Sequence, residues 1–446
     1  MEKSAFVFTV ILAALVFAGD QPVGEHALGS RKYSDYEKPE VCKSCHTSIY
    51  QQWRLAMMSQ AFTHHWDEIE YFGLAVPHGE KVAMFKPVSD ACNGCHTPQA
   101  FLAGDVPPPR PEKNSRANES VSCDFCHSIT AVAGEKPVNF NWVSNPGRTK
   151  YGAKQGLVSP HHITEYNEIF TRAEFCGSCH NEQNPFGVYV KSTQMEWAEG
   201  PYAQQGVPCF VCHMPKAEGR SAPMAEKGMV AQHVFLGAHN EAKVKSAIEI
   251  SMHPDEEEVP YDGTVVFQVE LFNAKAGHKI PTGSVEDRIL WLDVVAVDAE
   301  GKEYRLPVDK KGFEGEAYTI ASDEMAYTDM AIPLGLKDFK GVQRDGVPVG
   351  NRIFRMPYFD ENGIMTIMQW NTRKLGVDYR VGPRETKLET YTWEMPEDIA
   401  IGAVTVTATL NYQKLVKPVA DYLKVPADES EVVVMNQTLT TIEVYE

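Results

Sequence analysis

Ten cysteines and five of the fifteen histidines fall into five pentapeptides of one form. These are Cys42-Lys43-Ser44-Cys45-His46, Cys92-Asn93-Gly94-Cys95-His96, Cys123-Asp124-Phe125-Cys126-His127, Cys176-Gly177-Ser178-Cys179-His180 and Cys209-Phe210-Val211-Cys212-His213. Thiols three residues apart share one face of a single helical turn. Such a pair can bond the two vinyl groups of a porphyrin, and the following His then points at the iron from the same side. Cys-x-x-Cys-His is the attachment sequence of c-type haem. Cysteine pairs also form zinc half-sites and thioredoxin-like redox motifs. Zinc does not require a His directly after each pair, and a redox pair occurs once in a βαβ setting. Five motifs with no cysteine left over therefore point to five covalently bound haems c, with His46, His96, His127, His180 and His213 as proximal ligands.

The first cysteines are spaced by 50, 31, 53 and 33 residues. Long and short gaps alternate, which suggests a two-haem unit repeated with a period of 81 to 86 residues. So little chain per haem leaves the porphyrins to supply much of the buried apolar surface. The haems are then forced close together, the arrangement that electron hopping needs.

An iron that only carries electrons usually takes two protein ligands, whereas a catalytic iron keeps one side open. The histidines outside the motifs are His26, His64, His65, His78, His161, His162, His233, His239, His253 and His278. His26 reads as part of a solvated tail. The candidates for distal ligands are His65, His78, His162, His233 and His239. In each adjacent pair, His64-His65 and His161-His162, one residue is taken as the ligand and the other as its neighbour. His278 is a further candidate, because Asn273-Ala274-Lys275-Ala276-Gly277-His278-Lys279-Ile280-Pro281-Thr282-Gly283 is a tight turn. It would reach back to a haem, or else be a structural turn with a hydrogen-bonded His. Met57, Met58 and Met214 are alternative ligands; Met214 follows His213 directly and cannot serve the same iron.

The elements that carry these residues follow from patterning. Lys3 and the apolar run Ala5 to Phe17, ending in Val16-Phe17-Ala18, read as a secretory signal over 1–18. The destination is periplasmic or extracellular, including the cell surface. No second run of 18 apolar residues follows, so no transmembrane span is expected in the mature chain. A tail over 19–39 precedes a pentahaem domain over 40–245. Residues 246–446 turn to β-rich runs: Thr264–Leu271, Leu290–Val297, Ile364–Trp370, Val404–Leu410 and Glu431–Met435. The fold class is α+β: a mostly helical, irregular haem-packed region, then a β-sandwich of immunoglobulin-like type. The net charge of -18 argues against nucleic acid as a partner. Most of it comes from the second half, with 35 acidic against 20 basic residues, read as a solvated face.

The motifs with their flanks resemble multihaem cytochromes of the cytochrome c-554 type. The resemblance rests on Cys42–His46 with Tyr50-Gln51-Gln52-Trp53, and on Val121-Ser122-Cys123 through His127-Ser128. It continues in Phe175–His180-Asn181 and in Cys209–His213-Met214-Pro215 with the downstream His233-Val234-Phe235-Leu236-Gly237-Ala238-His239. It covers roughly residues 40 to 240. It implies an exported electron carrier, within a wider superfamily that includes haem enzymes acting on nitrogen and sulfur compounds. That type often carries a His shortly after the Trp, where this chain has Ser59-Gln60-Ala61-Phe62 with His64-His65 beyond. Pentahaem nitrite reductases are similar in haem number and chain length. They typically replace one motif His by Lys, and all five motifs here end in His, so that activity is not assigned.

The sequence therefore reads as an electron-transfer protein working between a redox donor and acceptor. A homo-oligomer or filament, or partnership with an outer-membrane conduit, is compatible with it. The rival is a reductase of a nitrogen or sulfur oxyanion at one open haem.

Overall fold

The computed structural model describes residues 27–310, 318–321, 325–343 and 346–446; the expected signal over 1–18 lies outside them. Each motif sits on a short helix. Cys42 lies in Pro39–Lys43, and His46 caps the start of Thr47–Leu55. The other four occupy Asn93–His96, Cys123–Cys126, Glu174–His180 and Cys209–His213. Two of these helices start where a cap or a proline satisfies the first turn. The Ser122 hydroxyl accepts from Phe125 N–H, and Pro39 opens its helix at the position that lacks an intrahelical donor anyway. They are one or two turns long, because only the Cys-to-His span has to be helical.

Two-stranded hairpins follow motifs 3, 4 and 5: Ile129–Val132 with Trp142–Ser144, Asn181–Gln183 with Tyr189–Ser192, and Lys216–Gly219 with Gly228–Ala231. The apolar cluster of this region is small and aromatic: Tyr36, Phe101, Leu102, Phe125, Ile129, Phe140 and Trp142. Phe140 lies so close to the motif 2 helix that a Cβ on Gly94 would come within 2.5 Å of its ring.

The second half holds two sheets packed face to face. One runs in the order Glu258–Pro260, Val433–Tyr445, Gly402–Gln413, Ile289–Val297, Glu303–Leu306, with Arg352–Phe354 also paired to Ile289–Val297. The other is Thr386–Glu394, Thr264–Asn273, Ile248–Pro254. Alternation builds the core between them. Val265, Phe267, Val269 and Leu271 point inward from one sheet. Leu290, Leu292, Val294 and Ala296, with Val404, Val406, Ala408 and Leu410, point inward from the other. Each large apolar side chain buried here contributes about 1.5–3 kcal/mol.

Four of the five expected strands are present, that at Glu431–Met435 being the start of Val433–Tyr445. The run Ile364–Trp370 is not a strand. Only Met365–Thr366 pairs, and Gln369–Asn371 is a 3-10 turn. Met365, Ile367, Met368 and Trp370 are all buried, so the run fills a core instead of alternating across a sheet. That second core joins the two halves: Trp66, Leu74, Ala75 and Phe85 pack with Trp291, Met330, Ile353 and Val419.

Candidate haem sites and the histidine pairs

The geometry of the motif histidines follows from one repeated hydrogen bond. The Nδ1 of His46, His96, His127 and His213 lies 2.7, 2.6, 2.7 and 2.5 Å from the backbone carbonyls of Ser221, Ala61, Tyr151 and Leu236. A carbonyl accepts only, so Nδ1 donates and Nε2 is left with its lone pair free for a metal.

Three of these rings face a second imidazole. His46 and His162 have ring centres 6.3 Å apart and planes 30° apart. His127 and His233 are 6.2 Å and 32° apart. His213 and His278 are 6.3 Å and 20° apart. Two imidazoles bound at about 2 Å to one metal between them must place their ring centres roughly 6 Å apart. All three pairs fit a haem iron. The opposing rings are held the same way: Nδ1 of His162, His233 and His278 lies 3.3, 3.1 and 2.9 Å from the carbonyls of Ile163, Ala231 and Lys279. Burial lowers the pKa of His127, His213 and His233, so these rings stay neutral, as a ligand must. His213 and His233 are held down to about 4.

The other candidates lie elsewhere. His78 is buried beside Phe85, and the Trp370 indole N–H donates to its Nδ1 at 3.0 Å. That tautomer carries its proton on Nε2, the nitrogen a ligand would need free. His65 is half exposed at the rim of a cluster, 3.7 Å from Glu429. His64 is the buried member of that pair, 5.1 Å from His239 with the rings at 88°. His161 is exposed beside Glu37. Among the described residues no imidazole stacks opposite His96 or His180. Desolvation by the surrounding protein, with Lys191, His278 and Arg288 nearby, holds His180 down to about 4.

Sulfur contacts place the motifs relative to one another. The thiol of Cys42 meets that of Cys123, Cys95 meets Cys179, and Cys176 meets Cys209. Cys126 also senses Cys179. The attachment sites thus run 1–3–4–5, with site 2 against site 4. Motif 3 thus lies against motif 1, and motif 4 against motif 5. Cys45 and Cys212, at the two ends of that run, are the exposed cysteines.

The loop that carries His278 is clasped from the haem-bearing half. Glu196, on the helix Thr193–Ala198, accepts from Lys279 N–H at 3.2 Å and Thr282 Oγ1 at 2.8 Å. Buried Arg380 donates to Glu196 at 2.6 Å and to the Pro281 carbonyl at 3.2 Å. The Arg380 and Lys279 cations also hold Asp378 down to about 2 against the desolvation that opposes them. Nothing in the residue pattern announces Glu196 or Arg380, which lie 184 positions apart in the chain.

The family model described as cytochrome c554 and c-prime matches residues 41–128. Among solved structures, a penta-heme cytochrome c552 from Thermochromatium tepidum superimposes with a TM-score of 0.64 at 20% identity, over 92% of this chain and all of that one. The likeness to a CARDB domain from Pyrococcus furiosus has a TM-score of 0.18 at 10% identity, over 45% of this chain and 90% of that one. A sporulation control protein from Bacillus subtilis gives 0.16 at 11%, over 45% and 50%. No curated protein matches the sequence.

Proposed function

We propose that this chain, a multihaem c-type cytochrome resembling the cytochrome c554 type, carries five haems c and passes electrons between redox partners outside the cytoplasm. Haem c supplies an iron that changes between ferrous and ferric states. The chain's residues do the rest. Each Cys pair would anchor one macrocycle. His46 with His162, His127 with His233, and His213 with His278 would hold three of the irons. The backbone carbonyls on the six Nδ1 atoms fix ring orientation and raise ligand basicity. Two neutral imidazoles on one iron limit its rearrangement on reduction, which suits transfer over catalysis. The exposure of Cys45 and Cys212 supports donor and acceptor docking at sites 1 and 5.

The three near-parallel imidazole pairs carry this reading. Its test is a haem count by pyridine haemochrome with an intact mass of the mature protein. Five haems per chain and no alkylatable cysteine support it; fewer haems, or free thiols, overturn it. Export is read from the leader-like run Ala5 to Phe17, and the same mass supports it if the chain begins after Ala18.

One observation favours a second reading, reduction of a nitrogen or sulfur oxyanion at an open haem. His96 and His180 face no second imidazole among the described residues, and the cations Lys191 and Arg288 lie near His180. Titration of the oxidised protein with nitrite or cyanide decides it. A stoichiometric change at one haem supports catalysis, and no change supports a pure carrier.

A further inference from the structure

We propose that His64, His239 and Glu429 form a binding site for a divalent metal ion of the zinc class, separate from the haem irons. One candidate donor atom from each lies within 4.8 Å of the other two. His64 Nε2 is 2.8 Å from Glu429 Oε1. The two imidazoles are 5.1 Å apart and nearly perpendicular. That separation is too short for a porphyrin between them, in contrast to the parallel pairs at 6.2 and 6.3 Å. Their nitrogens converge on one carboxylate. A small ion with bonds of about 2.0–2.2 Å to nitrogen and oxygen fits a cluster of this size.

The surroundings are those of a built site. The side chains of His64 and Glu429 are only 9% and 3% exposed. Asp67 Oδ2 stands 3.3 Å from the far nitrogen of His64, the carboxylate–histidine–metal arrangement that orients a ligand. Lys414 holds the other Glu429 oxygen at 2.8 Å, so Oε1 is left as a single donor. His65 lies at the rim, 3.7 Å from Glu429 Oε1, beside the position a fourth ligand would take. Two imidazoles and one carboxylate suit zinc over calcium or magnesium, which prefer oxygen alone.

The three ligands come from the turn before the helix His65–Glu70, the loop that follows Gly228–Ala231, and the turn Ala427–Ser430. An ion here would strap the C-terminal segment to the haem-bearing half. Because it binds the folded chain alone, it would also stabilise the fold.

The test uses the holoprotein with its haems, stripped with a chelator and dialysed against zinc chloride, with zinc and iron counted by mass spectrometry. The expected result is one zinc per chain. It should be lost in Glu429→Gln, and bound about 10–100-fold more weakly in Asp67→Asn. The haem absorption of both variants should be unchanged. A wild-type protein that takes up no zinc overturns the proposal, and leaves these groups as an ion pair of His64 with Glu429. So does full zinc binding in Glu429→Gln. A His239→Gln variant in which one haem changes spin state also overturns it, because that assigns His239 to an iron.

Discussion

Replacing Arg380 by Met tests how the β-half holds His278 opposite His213, the proposed ligand pair of the last haem. Arg380 is 2% exposed. It donates to Glu196 at 2.6 Å, to the two oxygens of Asp378 at 2.8 Å each, and to the Pro281 carbonyl at 3.2 Å. Met fills similar volume but leaves Glu196, 5% exposed, without its cation. Removing one partner of a buried pair costs about 3–5 kcal/mol. That is roughly two to three and a half powers of ten in the unfolding constant, at about 1.4 kcal/mol per tenfold. The same change frees one side of the 278–283 loop, so His278 should leave the sixth position on part of the population. The assays are urea unfolding followed by circular dichroism, and EPR of the oxidised protein. The expected outcome is the stated destabilisation together with a new high-spin ferric signal that added imidazole reverses. A variant within about 1 kcal/mol of its parent, below the range for a broken buried pair, would refute the energetic argument. Full destabilisation with unchanged EPR would refute the link to His278.

Three further outcomes are expected. His78→Leu should leave every haem signal unchanged while orphaning the Trp370 N–H, at a cost of about 1–3 kcal/mol in urea unfolding; loss of a low-spin signal would make His78 a ligand after all. Burial, with Glu286 nearby, pushes Glu70 up to about 8, and burial pushes Glu286 up to about 7. Above the ordinary value of about 4.3 the fold keeps protons that the unfolded chain has released, so stability should fall as pH rises from there through about 8. Urea midpoints measured across that range should slope less in Glu70→Gln, and an unaltered slope would count against the assignment. Gly94→Ala would drive a methyl into the Phe140 ring, so it should cost about 1–3 kcal/mol in urea unfolding and lower the yield of protein with all its haems; wild-type yield and stability would contradict that packing.

The five Cys-x-x-Cys-His motifs were legible because the pattern is local, and each falls on or beside a short helix. Strands such as Thr264–Asn273 were legible because one face is buried and the other wet. The run 364–370 misled because a buried non-repetitive segment is as apolar as a strand. The distal side was harder, since pairing two imidazoles across a porphyrin is a tertiary fact. His162 and His161 are chemically identical neighbours, and only the fold turns one toward His46 and the other toward Glu37. In the same way, His64 and not His65 is the buried ring beside Glu429. His278 reaches His213 because Glu196 and Arg380 hold its loop, and neither residue belongs to a motif.

The most direct test of the account is low-temperature EPR of the oxidised holoprotein, integrated per chain. Near-parallel imidazole planes, 30°, 32° and 20° apart, should give rhombic low-spin signals from three irons. Those from the His46, His127 and His213 sites should be lost singly in His162→Ala, His233→Ala and His278→Ala. Fewer than three such irons, or a variant that keeps all of them, would contradict the paired-imidazole conduit.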